Sequence, residues 1–272
     1  MKDKIVLITG ATDGIGKQTA LELARMGAFV LLHGRDPVRG KAVVNEIKRS
    51  TENKHVELLI ADLSSLTQVR KLARDVEKNY PRLDVLVNNA GVYMRHHQLT
   101  EDGFEMTFAV NHLANFLLTN LLLDLLKMSS PSRVITVSSM AHQSAHFDFD
   151  NLQAEKRFEA YGVYANSKFA NIAFTYELAR HLKGTGITAN TLHPGVIATK
   201  LLRAGFGSMG GSSLEDGART IVYLVASEDV DGISGKYFVD CQERLTSEVS
   251  YDPVIQQELW KISEKLVGMS QR

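Results

Sequence analysis

The chain has 272 residues, of which 44% are hydrophobic, so it is long enough to bury a sizeable core. Its 31 basic and 31 acidic residues give a formal net charge of zero, which argues against a nucleic-acid binder because such proteins usually carry a basic excess. The single cysteine, Cys241, excludes a disulfide framework or a cysteine-based zinc cluster within one chain and suits a reducing compartment.

Short apolar runs alternate with longer helical patterns along the whole chain. Runs rich in Val, Ile and Leu predict seven strands, at residues 5–9, 29–33, 56–60, 85–88, 133–137, 187–192 and 236–239. The stretches between and after them predict seven helices, at residues 14–26, 37–49, 66–79, 105–127, 162–182, 214–227 and 253–267. This alternation is typical of a mostly parallel sheet with helices on both faces. Since no linker divides the chain, we expect residues 1–272 to form a single doubly wound Rossmann domain of α/β class with a seven-stranded sheet.

The apolar segments are poor candidates for membrane spans. The first apolar run is too short to cross a bilayer, and no signal-peptide cleavage site follows it. The longest apolar helix candidate, around residues 116–127, is interrupted by Thr119, Asn120 and Asp124, so it is expected to be a buried core helix. We therefore expect no membrane span and a cytoplasmic location.

Two segments are irregular and follow predicted strands. Residues 141–160 are polar without a clear period, and residues 205–213 are rich in glycine and serine and are expected to be mobile. Because ligands of open α/β sheets bind beyond the carboxyl ends of the strands, segments at about 141–160 and 199–215 are expected to cover a substrate.

A glycine-rich loop follows the first strand with the spacing G-x-x-x-G-x-G. Such a loop lets the backbone approach a pyrophosphate, and the helix N-terminus after it directs free N–H groups at the phosphates. An ordinary glycine-rich turn is the alternative, and a Walker loop is excluded because no Gly-Lys-Ser/Thr follows. The residues expected to bind a dinucleotide here are Gly10, Thr12, Asp13, Gly14, Ile15 and Gly16.

The end of the second strand indicates which dinucleotide is bound. Gly34 stands where an acidic residue normally binds the ribose hydroxyls of NAD, and Arg35, the next residue, could pair with a 2′-phosphate. NADP(H) is therefore preferred over NAD(H). Asp36 has a separate explanation as the N-cap of a helix. Asp62 and Leu63, just past the third strand, are placed to meet the adenine.

Tyr164 and Lys168 are four residues apart on a predicted helix. That spacing places a phenol and an ammonium on one face, a single turn apart. The positive charge is expected to lower the tyrosine pKa from about 10, so that the phenol can exchange a proton with a carbonyl or an alcohol near neutral pH. A cation packed beside a ring is the simpler alternative.

Together these motifs resemble the short-chain dehydrogenase/reductase family over essentially the whole chain. The resemblance adds an Asn-Asn-Ala-Gly element at residues 88–91 and a Pro-Gly segment at residues 194–195. It implies the catalytic set Asn111, Ser139, Tyr164 and Lys168. It also implies further cofactor contacts from Asn89, Ala90, Gly91, Pro194, Gly195, Val196 and Thr199, with Tyr164 and Lys168 holding the nicotinamide end. By the same resemblance, Asn111 would hold a water that relays protons, and the chain could form a homodimer or homotetramer.

The spacing before Tyr164 narrows the resemblance. Ser139 precedes Tyr164 by 25 residues, a longer interval than many family members have. Members that share this interval, a Gly-Arg-Asp turn such as residues 34–36 and an ending such as residues 235–241 resemble the retinol dehydrogenase branch. That branch implies an NADP(H)-dependent oxidoreductase that interconverts an aldehyde or ketone and an alcohol on a small-to-medium apolar substrate. We expect no N-terminal membrane anchor of the kind that animal members of the branch often carry.

Three other functions fit the sequence less well. An NADPH-binding regulator or scaffold with little activity would need only the glycine loop and Arg35, so the intact catalytic set argues against it. Reduction of a ring double bond, as in protochlorophyllide reductases, relies on further cysteines. A serine hydrolase is disfavoured because residues 206–210 lack the first glycine of Gly-x-Ser-x-Gly.

Four further side chains have simple explanations. His142 and His146 are four apart, a spacing that can bind a metal on a helix, but the local pattern does not predict a helix and we expect no metal site. Tyr161 has no lysine four residues later and is expected to line the pocket or to pack. Cys241 is expected to be a buried small hydrophobe rather than a nucleophile.

Overall fold

The computed structural model describes residues 1–207 and 210–269. Within these residues one sheet contains eight strands in the order β3-β2-β1-β4-β5-β6-β7-β8. Neighbouring strands are parallel except for β7 and β8, which are antiparallel. The strands are β1 Ile5–Ile8, β2 Phe29–Gly34, β3 Val56–Ile60, β4 Val85–Asn88, β5 Ser132–Val137, β6 Ile187–His193, β7 Tyr237–Val239 and β8 Gln242–Arg244. The predicted α/β class and mostly parallel sheet are confirmed, with eight strands instead of seven.

The helices lie on both faces of this sheet. They are α1 Gly14–Arg25, α2 Pro37–Thr51, α3 Leu66–Asn79, α4 Met106–Phe108, α5 Ala114–Met128, α6 Ala160–His181, α7 Lys200–Phe206, α8 Leu214–Ala226 and α9 Pro253–Leu266. A π-helical turn, Ala109–Leu113, joins α4 to α5, so the predicted helix at 105–127 is continuous. The short α7 was missed because it follows a strand end and runs into a glycine-rich segment without an apolar period.

Alternate residues of each central strand belong to two different apolar cores. In β1, Ile5 and Leu7 pack with α3, α5, α6 and α9, whereas Val6 and Ile8 pack with α1, α2 and α8. Because both faces are covered, β1 is apolar at every position and the other central strands are rich in Val, Ile and Leu, which is the pattern that predicted a parallel sheet.

The missed strand, β8, is an exposed edge strand. Its residues Gln242–Arg244 are polar and carry no apolar alternation. A two-residue turn joins it to β7, with Asp240 and Cys241 at φ of +49° and +60°. Such turns usually contain glycine or asparagine, so this one left no clear signal. Cys241 therefore lies half-buried in a hairpin turn, not buried as predicted.

Among the described residues, one helix, Met106–Met128, is long and apolar enough to cross a membrane. Of its most apolar 18-residue window, 89% is buried inside the protein. The ring of Phe116 on this helix lies 4.9 Å from that of Trp260 on α9. The helix occupies the position expected of a core helix.

Candidate active site

A cavity of about 730 Å³ opens beyond the carboxyl ends of the parallel strands. This volume lies in the range of cofactor and ligand sites. The predicted residues that line it are Gly10, Thr12, Asp13, Gly14, Ile15, Gly16, Arg35, Asp62, Leu63, Asn89, Ala90, Gly91, Ser139, Tyr164, Lys168, Pro194, Gly195, Val196 and Thr199. In the described part of the chain, Asn111 is the single predicted site residue outside this lining. The structure therefore brings the glycine loop and the tyrosine–lysine pair to one cavity.

The glycine loop and the turn after β4 approach each other closely. A Cβ at Gly10 would lie 2.9 Å from the Ala90 Cα, and one at Gly16 would lie 2.4 Å from the Asn89 Nδ2. Gly10 also has a φ of +65°, which L side chains rarely adopt. The Asn89 side chain donates to the Thr9 carbonyl at 2.8 Å and so joins the two loops. These close contacts leave backbone exposed to the cavity, which fits a pyrophosphate at the N-terminus of α1.

His33 on β2 joins the glycine loop to the end of β3 through hydrogen bonds of both ring nitrogens. The Gly10 N–H donates to its Nδ1 at 3.2 Å, and its Nε2 lies 3.1 Å from the Ala61 carbonyl. Burial lowers the pKa of His33 to about 4, so the ring is neutral, with its hydrogen on Nε2. No sequence motif predicted a role for His33; its position one residue before Gly34 at a strand end was the available signal.

At the end of β2, the position of Gly34 is too crowded for a side chain, whereas the next residue, Arg35, is exposed. A Cβ at Gly34 would lie 2.3 Å from the Thr12 Cγ2, so an acidic side chain does not fit there without displacing Thr12. Arg35 is exposed at the cavity edge and has no ion pair with any described residue. Asp36 caps α2 by accepting from the Val38 and Arg39 N–H groups, as predicted.

Asp13 links three segments at this end of the cavity. Its Oδ2 lies 2.5 Å from the Arg39 Nη2 of α2 and 3.1 Å from the Lys200 Nζ of α7. Burial acts to raise the pKa of Asp13, but hydrogen bonds from Lys200 and Arg39 hold it below its usual value. Although Asp13 is the N-cap residue of α1, its side chain makes no cap hydrogen bond, because it turns toward these cations.

At the far end of this cavity, Tyr164 and Lys168 lie one turn apart on α6. Both are buried, and the Lys168 Nζ lies 5.6 Å from the centre of the Tyr164 ring and donates to the Val137 carbonyl at 3.2 Å. Burial raises the pKa of Tyr164 to about 12, although a hydrogen bond with the Ser139 side chain opposes the rise. Burial also lowers the pKa of Lys168 to about 8. The expected lowering of the tyrosine pKa is therefore not found, because desolvation of the buried phenolate is the largest influence on it.

Ser139 and Asn111 approach the pair from two sides. Ser139 follows β5, and its Oγ caps the 3₁₀ turn Met140–Ser144 by accepting from the Ala141 N–H at 3.2 Å. The Asn111 Oδ1 accepts from the Val92 N–H at 2.7 Å, and its Nδ2 donates to the Val92 carbonyl and to the Ser167 hydroxyl. Asn111 thus lies behind the cavity wall, and its role in a proton relay stays a prediction.

The end of β6 leads into the covering segment. Thr199 caps α7 by accepting from the Leu202 N–H at 3.1 Å, and its Cγ2 lies 3.5 Å from the position of a Cβ on Gly14. Residues 199–202 line the cavity. Within the other segment, only Ala141 lines it, while Phe147 packs on Phe169 with ring centres 4.8 Å apart. Residues 205–213 were predicted to be mobile, and residues 206–210 were compared with a serine hydrolase motif. Both ranges include Ser208 and Met209, which lie outside the described residues.

The remaining side chains considered from sequence are separated by the fold. His142 is buried and His146 is exposed. No three His, Cys, Asp or Glu side chains among the described residues group in a way that could hold a metal. Tyr161 lines the cavity.

The family follows from sequence comparison. Residues 4–206 match the short chain dehydrogenase family, and this chain belongs to it. Members of this family are nicotinamide-dependent oxidoreductases that interconvert CH–OH and C=O groups on small molecules.

The most similar relatives place the chain near one branch. Human retinol dehydrogenases 13 and 14 are 44% and 41% identical to it, over 98% and 99% of this chain and 85% and 88% of theirs. The chain is therefore retinol dehydrogenase-like. Among solved structures, an uncharacterized protein from Mycobacterium paratuberculosis matches with a TM-score of 0.82 and 32% identity, over 99% of this chain and 95% of that one. A short chain dehydrogenase from Escherichia coli, complexed with NADPH, matches with a TM-score of 0.74 and 27% identity, over 89% and 98%.

Proposed function

We propose that this chain interconverts an apolar aldehyde or ketone and the corresponding alcohol, using NADP(H) in preference to NAD(H), with Tyr164 as the acid and base. One observation carries the proposal: Tyr164, bonded to Ser139 and one turn from Lys168, lines the same cavity as the glycine loop. When bound, the nicotinamide cofactor supplies or accepts the hydride.

The chain's own residues would handle the proton and the developing charge. With a pKa of about 12, Tyr164 is a neutral phenol at physiological pH and can donate its proton to a carbonyl oxygen. Ser139 can donate a hydrogen bond to the same oxygen and stabilise charge that grows in the transition state. Lys168, with a pKa of about 8, is mostly protonated at neutral pH and favours a negative oxygen nearby.

The cofactor preference rests on the end of β2. Arg35 is a cation without an ion pair among the described residues, and the contact of Gly34 with Thr12 disfavours the acid that NAD usually requires. The structural relative with NADPH bound supports this preference. Arg39 and Lys200 lie close by on Asp13, so the region is rich in positive charge.

The substrate class rests on the other end of the cavity. Its lining there includes Met94, Met140, Tyr161, Leu201 and Leu202, which offer apolar and adaptable surface. The similarity to enzymes named retinol dehydrogenases is consistent with an apolar substrate of retinal-, steroid- or xenobiotic-like type.

The test is consumption of NADPH with a panel of aldehydes, ketones and quinones, repeated with NADH. We expect turnover of apolar carbonyls with a clear preference for NADPH. A clear preference for NADH would contradict the argument from Arg35. Tight NADPH binding without turnover of any carbonyl would favour the regulator instead.

We also propose a cytosolic location and a homo-oligomeric assembly. We expect the protein in the cytosolic fraction of its cell, which fractionation measures. A homodimer or homotetramer is expected from the resemblance, and size-exclusion chromatography with light scattering tests it. Trp260 covers Phe116 and Phe174 on α5 and α6, so a pairing surface on these helices would lie beside α9.

A further inference from the structure

His142 lies directly against the backbone of Ser139. It is 1% exposed, and its Nδ1 is 2.7 Å from the Ser139 carbonyl oxygen. On the other side of the ring, the Ser247 N–H donates to Nε2 at 3.3 Å. Because Nε2 accepts, Nδ1 carries the hydrogen and donates to Ser139. Both ring nitrogens are thus engaged by backbone groups.

Two further features hold the ring in this state. The ring packs edge-on against Tyr237 of β7, with centres 5.2 Å apart. Burial lowers the pKa of His142, and the bond to Ser139 only partly opposes this, so the ring is neutral near pH 7. A neutral ring is required for one nitrogen to donate while the other accepts.

The segment that bonds to His142 is itself fixed to α6. The Tyr176 hydroxyl of α6 lies 3.0 Å from the Thr246 Oγ1, and the Thr246 N–H donates to the Tyr251 hydroxyl at 3.0 Å. The rings of Tyr176 and Tyr251 stack with centres 5.5 Å apart. Since α6 also carries Tyr164 and Lys168, these contacts and His142 connect the backbone of Ser139 to the helix that holds Tyr164.

The neighbouring Ser138 is fixed by its N–H to the Leu192 carbonyl and by its hydroxyl to the Lys168 carbonyl, whereas fewer groups hold the carbonyl end of Ser139. Ser139 precedes a 3₁₀ turn of five residues, Met140–Ser144, instead of a full helix. Within that turn its carbonyl also accepts from the His142 N–H, at a longer 3.2 Å. The His142 side chain is therefore the shortest contact in the described structure that fixes the Ser139 carbonyl.

We propose that His142 is a positioning residue, which holds Ser139 against Tyr164 by joining it to the segment 246–251 and through it to α6. The inference rests on the proposed function, because the placement of Ser139 matters only if its hydroxyl contacts the reacting oxygen. The segment 246–251, which does not line the cavity, would thus support the active site from a distance.

Three variants separate the two hydrogen bonds. His142→Asn retains a donor near the position of Nδ1, His142→Gln retains an acceptor near the position of Nε2, and His142→Ala removes both. With NADPH and the best carbonyl substrate, we expect His142→Ala to lower kcat about 10- to 100-fold through misplacement of Ser139. The Kd of NADPH, measured by its fluorescence, should stay within about twofold, and His142→Asn should restore more activity than His142→Gln. His55→Asn, an exposed histidine at the opposite edge of the sheet, is the control and should keep the kcat of the unaltered chain.

A double-mutant cycle distinguishes positioning from general damage. In a Ser139→Ala background, His142→Ala or His142→Asn should lower kcat no further, because the group that it positions is gone. An undiminished kcat in His142→Ala, or a full additional loss in the Ser139→Ala background, would overturn the inference. If His142→Ala does not fold, His142→Asn and His142→Gln replace it, and equal kcat in both would overturn the inference as well. Failure of the unaltered chain to turn over any carbonyl would overturn the proposed function and the inference together. This result differs from one in which the unaltered chain is active and the His142 variants overturn the inference alone.

Discussion

The two ends of the cavity are built in different ways. At the cofactor end, the loops after β1 and β4 meet through close backbone approach and the Asn89 side chain, and glycines permit contacts that any Cβ would obstruct. At the catalytic end, the same cavity is lined by side chains, with Tyr164 and Lys168 on a long helix and Ser139 on a short turn. A pyrophosphate is bound by N–H groups and a helix dipole, whereas proton transfer requires particular hydroxyl and amine groups.

This difference predicts how each end fails. Changes in the glycine loop should alter affinity and stability, because they move backbone, whereas changes to the charged side chains beside it should alter affinity. Removing a reacting hydroxyl at the catalytic end should alter turnover and leave cofactor affinity nearly unchanged, because only a single group is lost.

The largest effect is expected from Tyr164→Phe. Loss of the proton donor should lower kcat about 10³-fold, with the Kd of NADPH nearly unchanged. Stopped-flow or steady-state NADPH consumption measures the first, and fluorescence titration the second. A variant that retains near-normal kcat on a good substrate would contradict the role of Tyr164.

The pH profile tests the tyrosine pKa. Alcohol oxidation needs the phenolate, and the phenolate fraction rises about tenfold per pH unit below the pKa. With a raised pKa of about 12, kcat/KM for oxidation should climb from pH 7 to pH 9, whereas the phenol fraction that carbonyl reduction needs stays near one. A fall in the rate of reduction over this range would follow the loss of the Lys168 charge, since the pKa of Lys168 is about 8. A plateau of oxidation below pH 7 would instead mean that the bound cofactor and Lys168 lower the pKa, as the sequence suggested.

Arg35→Ala tests the cofactor end for its phosphate site. Loss of a charged hydrogen bond worth about 2 kcal/mol should raise the Kd of NADPH about 10- to 100-fold and leave that of NADH unchanged. The control is Arg25→Ala, at the other end of α1, which should change neither Kd. Equal weakening of both cofactors would rule out a specific contact with the 2′-phosphate.

Gly10→Ala tests whether close approach or strain governs the glycine loop. The added Cβ meets Ala90 and the positive φ is strained, so we expect a loss of about 1–3 kcal/mol in unfolding free energy and about tenfold weaker NADPH binding. Gly103→Ala is the matched control, because Gly103 has a φ of +81° but no described atom within 4 Å of the added Cβ. Denaturant unfolding of both variants should show a smaller loss for Gly103→Ala, and equal losses would mean that strain alone matters.

The smallest effect is expected from Asp13→Asn. Removing this carboxylate releases Arg39 and Lys200 and lowers the negative charge beside the proposed phosphate site, so NADPH should bind about threefold more tightly at low salt. Asp75→Asn, which breaks an exposed ion pair with Lys71 on α3, is the control. Unchanged affinity at low salt would show that Asp13 does not compete for these cations.

Much of the site was predictable because local patterns carry it. Neighbouring residues in the sequence are enough to recognise the glycine loop, the strand ends and the four-residue spacing of Tyr164 and Lys168. The residues that these patterns identified line one cavity. The parts that escaped prediction depend on contacts distant in sequence. His33 bonds to Gly10 and Ala61, and His142 bonds to Ser247, 105 residues away. β8 escaped for a local reason, because its turn lacks the usual glycine.

The sequence by itself determined the alternating elements, the mostly parallel sheet and the family, because apolar periodicity and short motifs are local properties of the chain. Only the tertiary structure decided the protonation of the site and the support of its serine. Burial of Tyr164 raises its pKa although the hydrogen bond with Ser139 opposes the rise, and the burial of His142 between two backbone segments fixes both of its hydrogen bonds. Desolvation and distant hydrogen bonds depend on what surrounds a residue in space, which residue spacing does not record.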